Sequence, residues 1–485
     1  MVFSNNNTFT IFVLFVIGGL VSLTFDPAII IIYFIMLAFY LHYAKYFKYP
    51  VLVFIILILF LYPTTATNMK FFNERFFLLP IIIIIILILY INPIRNIFKQ
   101  EKALKRIVSV FFIYGTTMYI IALFGYLLNN TLGINIFDHA PLSTSHILHY
   151  FRGIPLVFIV LAPILTIINE KHFKMIFKLY MILLFINVFF GLLQYFYGIQ
   201  IVDEGYSMGF RLGAYGSERR LFSFSNPDPI AFGFTLSYPL LILLVYLLNI
   251  NYKSSYLALS LLTIITILLT FSRATYISFT AGMLISLFLV SKKPKVLFKY
   301  STIVLSITLL IIYSGVPEKF STVPRLASTT SSILDVESRT NPMFGRLHKY
   351  RVAWEILQEN PILGASPGGM PELSHTTLVG SIGMESVHNL YLQAAVDYGF
   401  PMMLIVIIIL IYSFSLGLKI LKNYKHEIMM RNNRYLHIFL LASTAYVLSC
   451  IIYGIAESLT YNVIFLNLGF IIAAKRILQR KNILL

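Results

Sequence analysis

Cysteine is almost absent from this chain of 485 residues. Cys450 stands alone inside an apolar run, so neither a disulfide framework nor a cysteine metal site is available. Charge is scarce as well, with 12% charged residues against 59% hydrophobic ones and a mean hydropathy of +0.84. A water-soluble core cannot hide that much apolar surface, so lipid has to be the solvent for most of the chain. There is no P-loop, no dinucleotide fingerprint and no Asp-x-Asp pair, which argues against nucleotide hydrolysis and a metal-held nucleotide-sugar donor. His139, His146, His149 and His375 show no metal-ligand spacing beside an acid cluster, so neither metal nor cofactor is expected.

What the chain has in abundance is long apolar runs. Read as membrane spans, they fall near 9–25, 27–43, 49–63, 76–92, 107–128, 153–168, 175–200, 229–249, 255–271, 274–290, 300–314, 398–417, 435–456 and 460–474. The expected fold is an all-α polytopic membrane protein of about 12–14 transmembrane helices, with a large and partly helical extracytoplasmic loop. The first run, Thr10 to Phe25, lacks a basic n-region and a small-residue cleavage site, and reads as a retained helix.

Basic residues set the expected orientation. With both termini cytoplasmic, the inner connections hold 24 of the 37 Lys and Arg residues but only Glu101, Glu170 and Glu427 of the 19 acids. The net charge of +18 is therefore a topogenic signal and a match to anionic lipid, not a nucleic-acid surface.

Residues 1–314 are expected to be membrane helices with short cytoplasmic loops and outer loops at 129–152 and 201–228. Residues 315–397 form the large extracytoplasmic loop, and 398–485 the C-terminal helices. A structureless connection of that length is improbable in a compact protein, so the large loop should carry its own structure and the function. Within it, Gly345 to Glu359 reads as an amphipathic helix with Trp354 and Leu357 on one face and Arg346, Lys349 and Arg351 available to the other. Pro361 ends it, a glycine-rich turn follows from Gly364 to Gly369, and Glu385 to Val396 reads as a second short helix.

Cations are few outside, which makes each one informative. Arg219 and Arg220 precede the segment Leu221 to Asp228, which contains Asn226; Arg273 follows Ser272 between two apolar runs; Arg346 lies on the loop helix. Guanidinium groups stay charged and present forked donors, so several converging at the outer surface would receive phosphate or pyrophosphate. Each could instead cap a helix or snorkel to a headgroup. His388, with Glu385, Asn389 and Tyr391 around it, could take a proton from an attacking hydroxyl; a histidine bonded to a loop carbonyl is the plainer alternative. No nucleotide is available on the outer face, so a donor there should arrive activated, and a lipid with a pyrophosphate leaving group fits.

Four stretches resemble the bacterial O-antigen ligase and O-antigen polymerase superfamily. They are Arg220 with Phe222 to Pro227, Thr270-Phe271-Ser272-Arg273-Ala274, Trp354 with Asn360 to Gly369, and His388-Asn389 followed after nine residues by Gly399. Together they cover residues from about 190 to 400. Met402 stands where a second glycine of the last pattern is expected, which departs from the ligase subtype.

The resemblance implies a GT-C-like, metal-independent, inverting glycosyltransferase of the bacterial cytoplasmic membrane with its active site outside. The donor would be an undecaprenyl-pyrophosphate-linked oligosaccharide and the acceptor a glycan or lipid-linked sugar, with a flippase and a chain-length regulator as further partners. His388, Arg273 and Arg220 would be catalytic, and Arg219, Asn226, Arg346, Glu385, Asn389 and Tyr391 would bind substrate. A polymerase of O-antigen, capsule or exopolysaccharide is the expected activity, ahead of a ligase to lipid A-core. A lipid-linked sugar flippase or secondary transporter is the alternative from another class; it would need ions near mid-membrane, and the spans are nearly free of charge.

Overall fold

A computed structural model describes residues 46–47, 52, 69–71, 74–76, 90–132, 154–197, 229–249, 253–270, 272–290, 342–365, 387–424, 433–457 and 461–483. The first three expected spans and the one at 300–314 lie almost wholly outside these residues, as do the outer loop at 201–228 and the connection at 133–153.

The described residues are overwhelmingly helical. In chain order the helices are α1 (Ile91–Gln100), α2 (Lys102–Leu132), α3 (Leu161–Thr166), α4 (Glu170–Tyr197), α5 (Pro229–Asn249), α6 (Ser254–Leu269), α7 (Arg273–Val290), α8 (Pro342–Glu359), α9 (Leu390–Tyr398), α10 (Phe400–Asn423), α11 (Arg434–Ala456) and α12 (Tyr461–Ile483). A two-stranded antiparallel hairpin, β1 (Met69–Phe71) and β2 (Glu74–Phe76), was not anticipated; it pairs Met69 with Phe76 and Phe71 with Glu74. Among the described residues, stretches of α2, α4, α5, α10, α11 and α12 are long and apolar enough to cross a membrane. The chain is a polytopic helical membrane protein.

The expected span at 153–168 is not one helix. It is a 3-10 segment, Ile154–Val160, running into α3, and nearly every residue of it is buried against α2 and α12. Pro155 and Pro163 account for the break, since neither supplies the backbone donor that a continuous helix needs.

Helix α11 is the axis of the bundle. Its side chains are buried along almost the whole length, and α5, α7, α10 and α12 pack round it. Close approach is built in: a Cβ placed on Gly282 of α7 would lie 2.1 Å from Ser449 Oγ on α11. Phe439 and Phe470 pack with ring centroids 5.3 Å apart, and Tyr238 exchanges a 2.8 Å hydrogen bond with Ser443.

Polar side chains inside these helices satisfy themselves locally. Ser237 Oγ donates to Gly233 O, Thr263 Oγ1 to Leu259 O, Ser413 Oγ to Ile409 O and Thr444 Oγ1 to Leu440 O, each one turn back along its own helix. That keeps hydroxyls tolerable where no water competes. At one end of α11, the Glu170 carboxylate accepts from the backbone N–H groups of Tyr435 and Leu436 at 2.5 and 2.9 Å, capping donors that the first turn leaves free. The opposite end carries the site.

Candidate active site

The site begins with a short connection, Val387-His388-Asn389, that opens α9. Asn389 caps the helix: its Oδ1 accepts from the backbone N–H groups of Tyr391 and Leu392, each at 3.0 Å. Val387 is fully buried, and its backbone N–H donates to Gln393 Oε1 at 2.9 Å. Between these anchors His388 adopts a left-handed backbone with φ 55°. For a residue with a Cβ that conformation costs about 1–2 kcal/mol, and it persists only where the surroundings over-determine it.

The surroundings include Glu457, the residue that ends α11. Glu457 Oε2 accepts from His388 Nδ1 at 2.9 Å, and Glu457 Oε1 accepts from Arg346 Nη2 at 2.6 Å. The carboxylate is buried, with 7% of its side chain exposed, whereas the His388 and Arg346 side chains are 40% and 41% exposed. One anion at the back thus holds two accessible groups. An acidic residue at a helix C-terminus opposes the helix dipole, so the two cation-capable partners offset a placement that is otherwise unfavourable.

The hydrogen bond also fixes roles within the imidazole. An ionised carboxylate only accepts, so the proton sits on Nδ1, and in the neutral ring Nε2 is left with its lone pair. Neighbouring side chains lock the frame. Asn389 Nδ2 donates to Ile455 O at 2.9 Å, one of the carbonyls that the last turn of α11 leaves unpaired. Tyr391 Oη donates to Ile451 O at 2.8 Å, and burial pushes its phenol up to about 12, so it remains a donor at neutral pH.

Helix α8 brings Arg346 to Glu457. Val352, Ala353, Ile356 and Leu357 pack with Val387, Ala395 and Val396 into a small apolar cluster separate from the main core. Leu357 is buried, whereas Trp354 is half exposed and meets Phe400 edge-on with ring centroids 6.1 Å apart. The expected grouping of Trp354 with Leu357 is therefore corrected. Arg346, Tyr350, Ala353 and Leu357 recur at helical spacing and share the face turned toward α9 and the end of α11, as the Tyr350 Oη to Ile455 O contact at 3.5 Å shows.

The glycine ten residues after Asn389 has a clear geometric reason. Gly399 ends α9 at φ 82°, and a Cβ there would fall 1.9 Å from Ile362 O. The turn after α8 is stitched to this corner by Phe400 N–H to Pro361 O at 2.9 Å and Ala365 N–H to Val396 O at 2.6 Å. Tyr114 Oη from α2 pins both sides of it, through Tyr398 O at 2.8 Å and Ile362 O at 3.1 Å. Met402, where a second glycine was expected, is fully buried.

Arg273 is the first residue of α7, directly after Ser272, whose Oγ accepts from Thr275 N–H at 3.3 Å. Thr275 Oγ1 donates to Ile230 O at 3.3 Å, which seats the start of α7 on the start of α5. Phe234, near that start, stacks on Tyr453 with ring centroids 3.9 Å apart, one turn before Glu457. The backbone of Arg273 therefore lies at the same end of the bundle as His388, Arg346, Asn389 and Tyr391. Arg219, Arg220, Asn226 and Glu385 lie outside the described residues. Glu457 was not singled out from sequence, although an acid in the short connection between two apolar spans was the available signal. Among the described residues no group of His, Cys, Asp and Glu could hold a metal ion.

The fold and this end of it define a multi-pass membrane protein with a histidine, carboxylate and arginine cluster where α8 and the start of α9 meet the end of α11. Residues 258–407 match the family model described as O-antigen ligase, and this match supports the O-antigen ligase and polymerase superfamily for the chain. The matched segment runs from α6 into α10 and includes Arg273, Arg346, His388, Asn389 and Tyr391, but not Glu457. The matched family suggests glycosyl transfer of the ligase or polymerase type. No curated protein matches the chain.

Proposed function

We propose that this protein transfers a glycan from an undecaprenyl-pyrophosphate carrier to an acceptor sugar hydroxyl at the outer face of the bacterial cytoplasmic membrane. The observation that carries the reading is the Glu457 carboxylate, which holds the His388 ring by Nδ1 and the Arg346 guanidinium by Nη2.

His388 Nε2 takes the proton of the acceptor hydroxyl as that oxygen attacks the anomeric carbon. The new carbon–oxygen bond forms on the face opposite the carrier, the bond to the pyrophosphate oxygen breaks, and the configuration inverts. Glu457 stabilises the imidazolium that results, in the way that an orienting carboxylate serves a catalytic histidine elsewhere. The departing pyrophosphate takes the electron pair, and Arg220 and Arg273, joined by Arg346, balance its charge. Arg219, Asn226 and Glu385 bind the donor or acceptor, and Asn389 and Tyr391 hold the histidine segment. The step needs no metal and no nucleotide.

A polymerase of surface-polysaccharide repeat units is the preferred subtype, because buried Met402 replaces the glycine of the ligase pattern. The ligase reading is favoured by the description of the matching family. Purified protein incubated with a polyprenyl-pyrophosphate-linked oligosaccharide, without nucleotide or divalent metal, separates the two. A ladder of products establishes the polymerase; a single shift that requires an added lipid A-core acceptor establishes the ligase. No transfer from such donors by folded protein overturns the proposal and favours a flippase or transporter.

A further inference from the structure

A cavity of about 440 Å³ lies between α10 and α12 at the end of the bundle remote from His388. Helix α10 starts beside the histidine segment at Phe400 and runs 24 residues to Asn423, about 35 Å. Tyr412, Leu416, Lys419 and Asn423 recur along α10 at spacings of three and four, so they share one face, and Lys475 and Gln479 stand one turn apart on α12 opposite them. From Tyr412 to Asn423 the wall is about 16 Å long. Tyrosine and leucine side chains line it together with two ammonium groups and two amides.

The charge in this groove is unbalanced. Lys475 Nζ donates to Glu101 Oε2 at 2.7 Å, and Lys419 is exposed with no acidic partner among the described residues. Lys422, Arg476 and Arg480 stand in the same final turns of α10 and α12, and Glu101 pairs with Lys475. Arg476 spends Nη2 on the neutral Gln100 Oε1 at 2.8 Å, and its buried Nη1 has no hydrogen-bond partner among the described residues. An elongated groove that joins apolar and aromatic side chains to ammonium groups is complementary to an amphiphile whose headgroup is anionic.

We propose that this groove binds one acidic phospholipid of the adjacent leaflet. Its phosphodiester lies between Lys419 and Lys475, the headgroup hydroxyls meet Asn423 and Gln479, and an acyl chain follows Leu416 toward Tyr412. The inference rests on the helix geometry and charge alone and is independent of the glycosyl-transfer reading.

Native mass spectrometry of the full-length protein in detergent, titrated with phosphatidylglycerol or phosphatidylcholine, tests it. One phosphatidylglycerol should be retained in preference to phosphatidylcholine. Lys419→Gln, which removes an exposed charge that no described acid holds, should weaken that retention about fivefold. Leu416→Trp keeps every charge but fills the acyl path, and should weaken it as well. Equal retention of the two lipids, or unchanged retention in Lys419→Gln, overturns the proposal. So does displacement of the lipid by millimolar inorganic phosphate with Leu416→Trp silent, which would identify a free-phosphate site.

Discussion

Glu457 accepts a hydrogen bond from His388 Nδ1 at 2.9 Å although 69 residues and two long helices separate them in the chain. His388 sits in a strained left-handed conformation at the start of α9, and Glu457 ends α11 with the wrong charge for the helix dipole. Neither position serves stability by itself, and together they hold an imidazole with one nitrogen bound and the other available.

Replacing the histidine removes the proposed base. His388→Ala should lower the rate of transfer about 10²- to 10⁴-fold with donor binding largely retained, measured as initial rate against donor concentration. A change in KM alone, with kcat intact, would assign His388 to binding.

The carboxylate acts through the histidine, so its replacement should be milder. Glu457→Gln is expected to cost about 10- to 100-fold in kcat, because an amide can no longer fix the imidazole tautomer and stabilise its charged form. Added to His388→Ala it should cost little more, since residues acting as a unit are not additive; full additivity of the two losses would separate their roles.

Strain at His388 gives a stability prediction that runs against activity. Glycine pays little for φ 55°, so His388→Gly should be at least as resistant to thermal unfolding as His388→Ala, and by up to about 1 kcal/mol more, while both are inactive. A clearly less stable glycine variant would mean that the conformation carries no strain.

The corner beyond the site should be intolerant of a single methyl. Gly399→Ala has φ 82° and a backbone oxygen 1.9 Å from its new Cβ, and should lose about 2 kcal/mol or more in a thermal unfolding assay. Tyr114→Phe, which frees Ile362 O and Tyr398 O without adding volume, should lose only about 1 kcal/mol.

Much of this was legible in the sequence, for identifiable reasons. The bounds of α5, α7 and α11 follow within a residue or two from apolar runs closed by polar or basic residues, because a membrane helix has to satisfy its backbone internally and cover its length with apolar side chains. His388, Asn389 and Gly399 were legible through the resembled pattern, whereas the cap at Asn389 was not, since the short helix expected from Glu385 begins at Leu390. The segment at 154–166 was expected as one continuous helix because hydropathy does not register a change of helix type, although Pro155 and Pro163 mark the break. The face of α8 was misassigned because Trp354 reads as apolar while its ring lies against Phe400 at the surface. Glu457 was not legible as a partner of His388: its role is made by tertiary contact between the start of α9 and the end of α11.

The most direct measurement compares wild type, His388→Ala and Glu457→Gln in one assay, with a polyprenyl-pyrophosphate-linked oligosaccharide as the sole donor and no nucleotide or metal. The account predicts extended products from the wild type, a loss of about 10²-fold or more in His388→Ala and an intermediate loss in Glu457→Gln, all three proteins being folded by their thermal transitions. Wild-type transfer by a folded His388→Ala protein would contradict it.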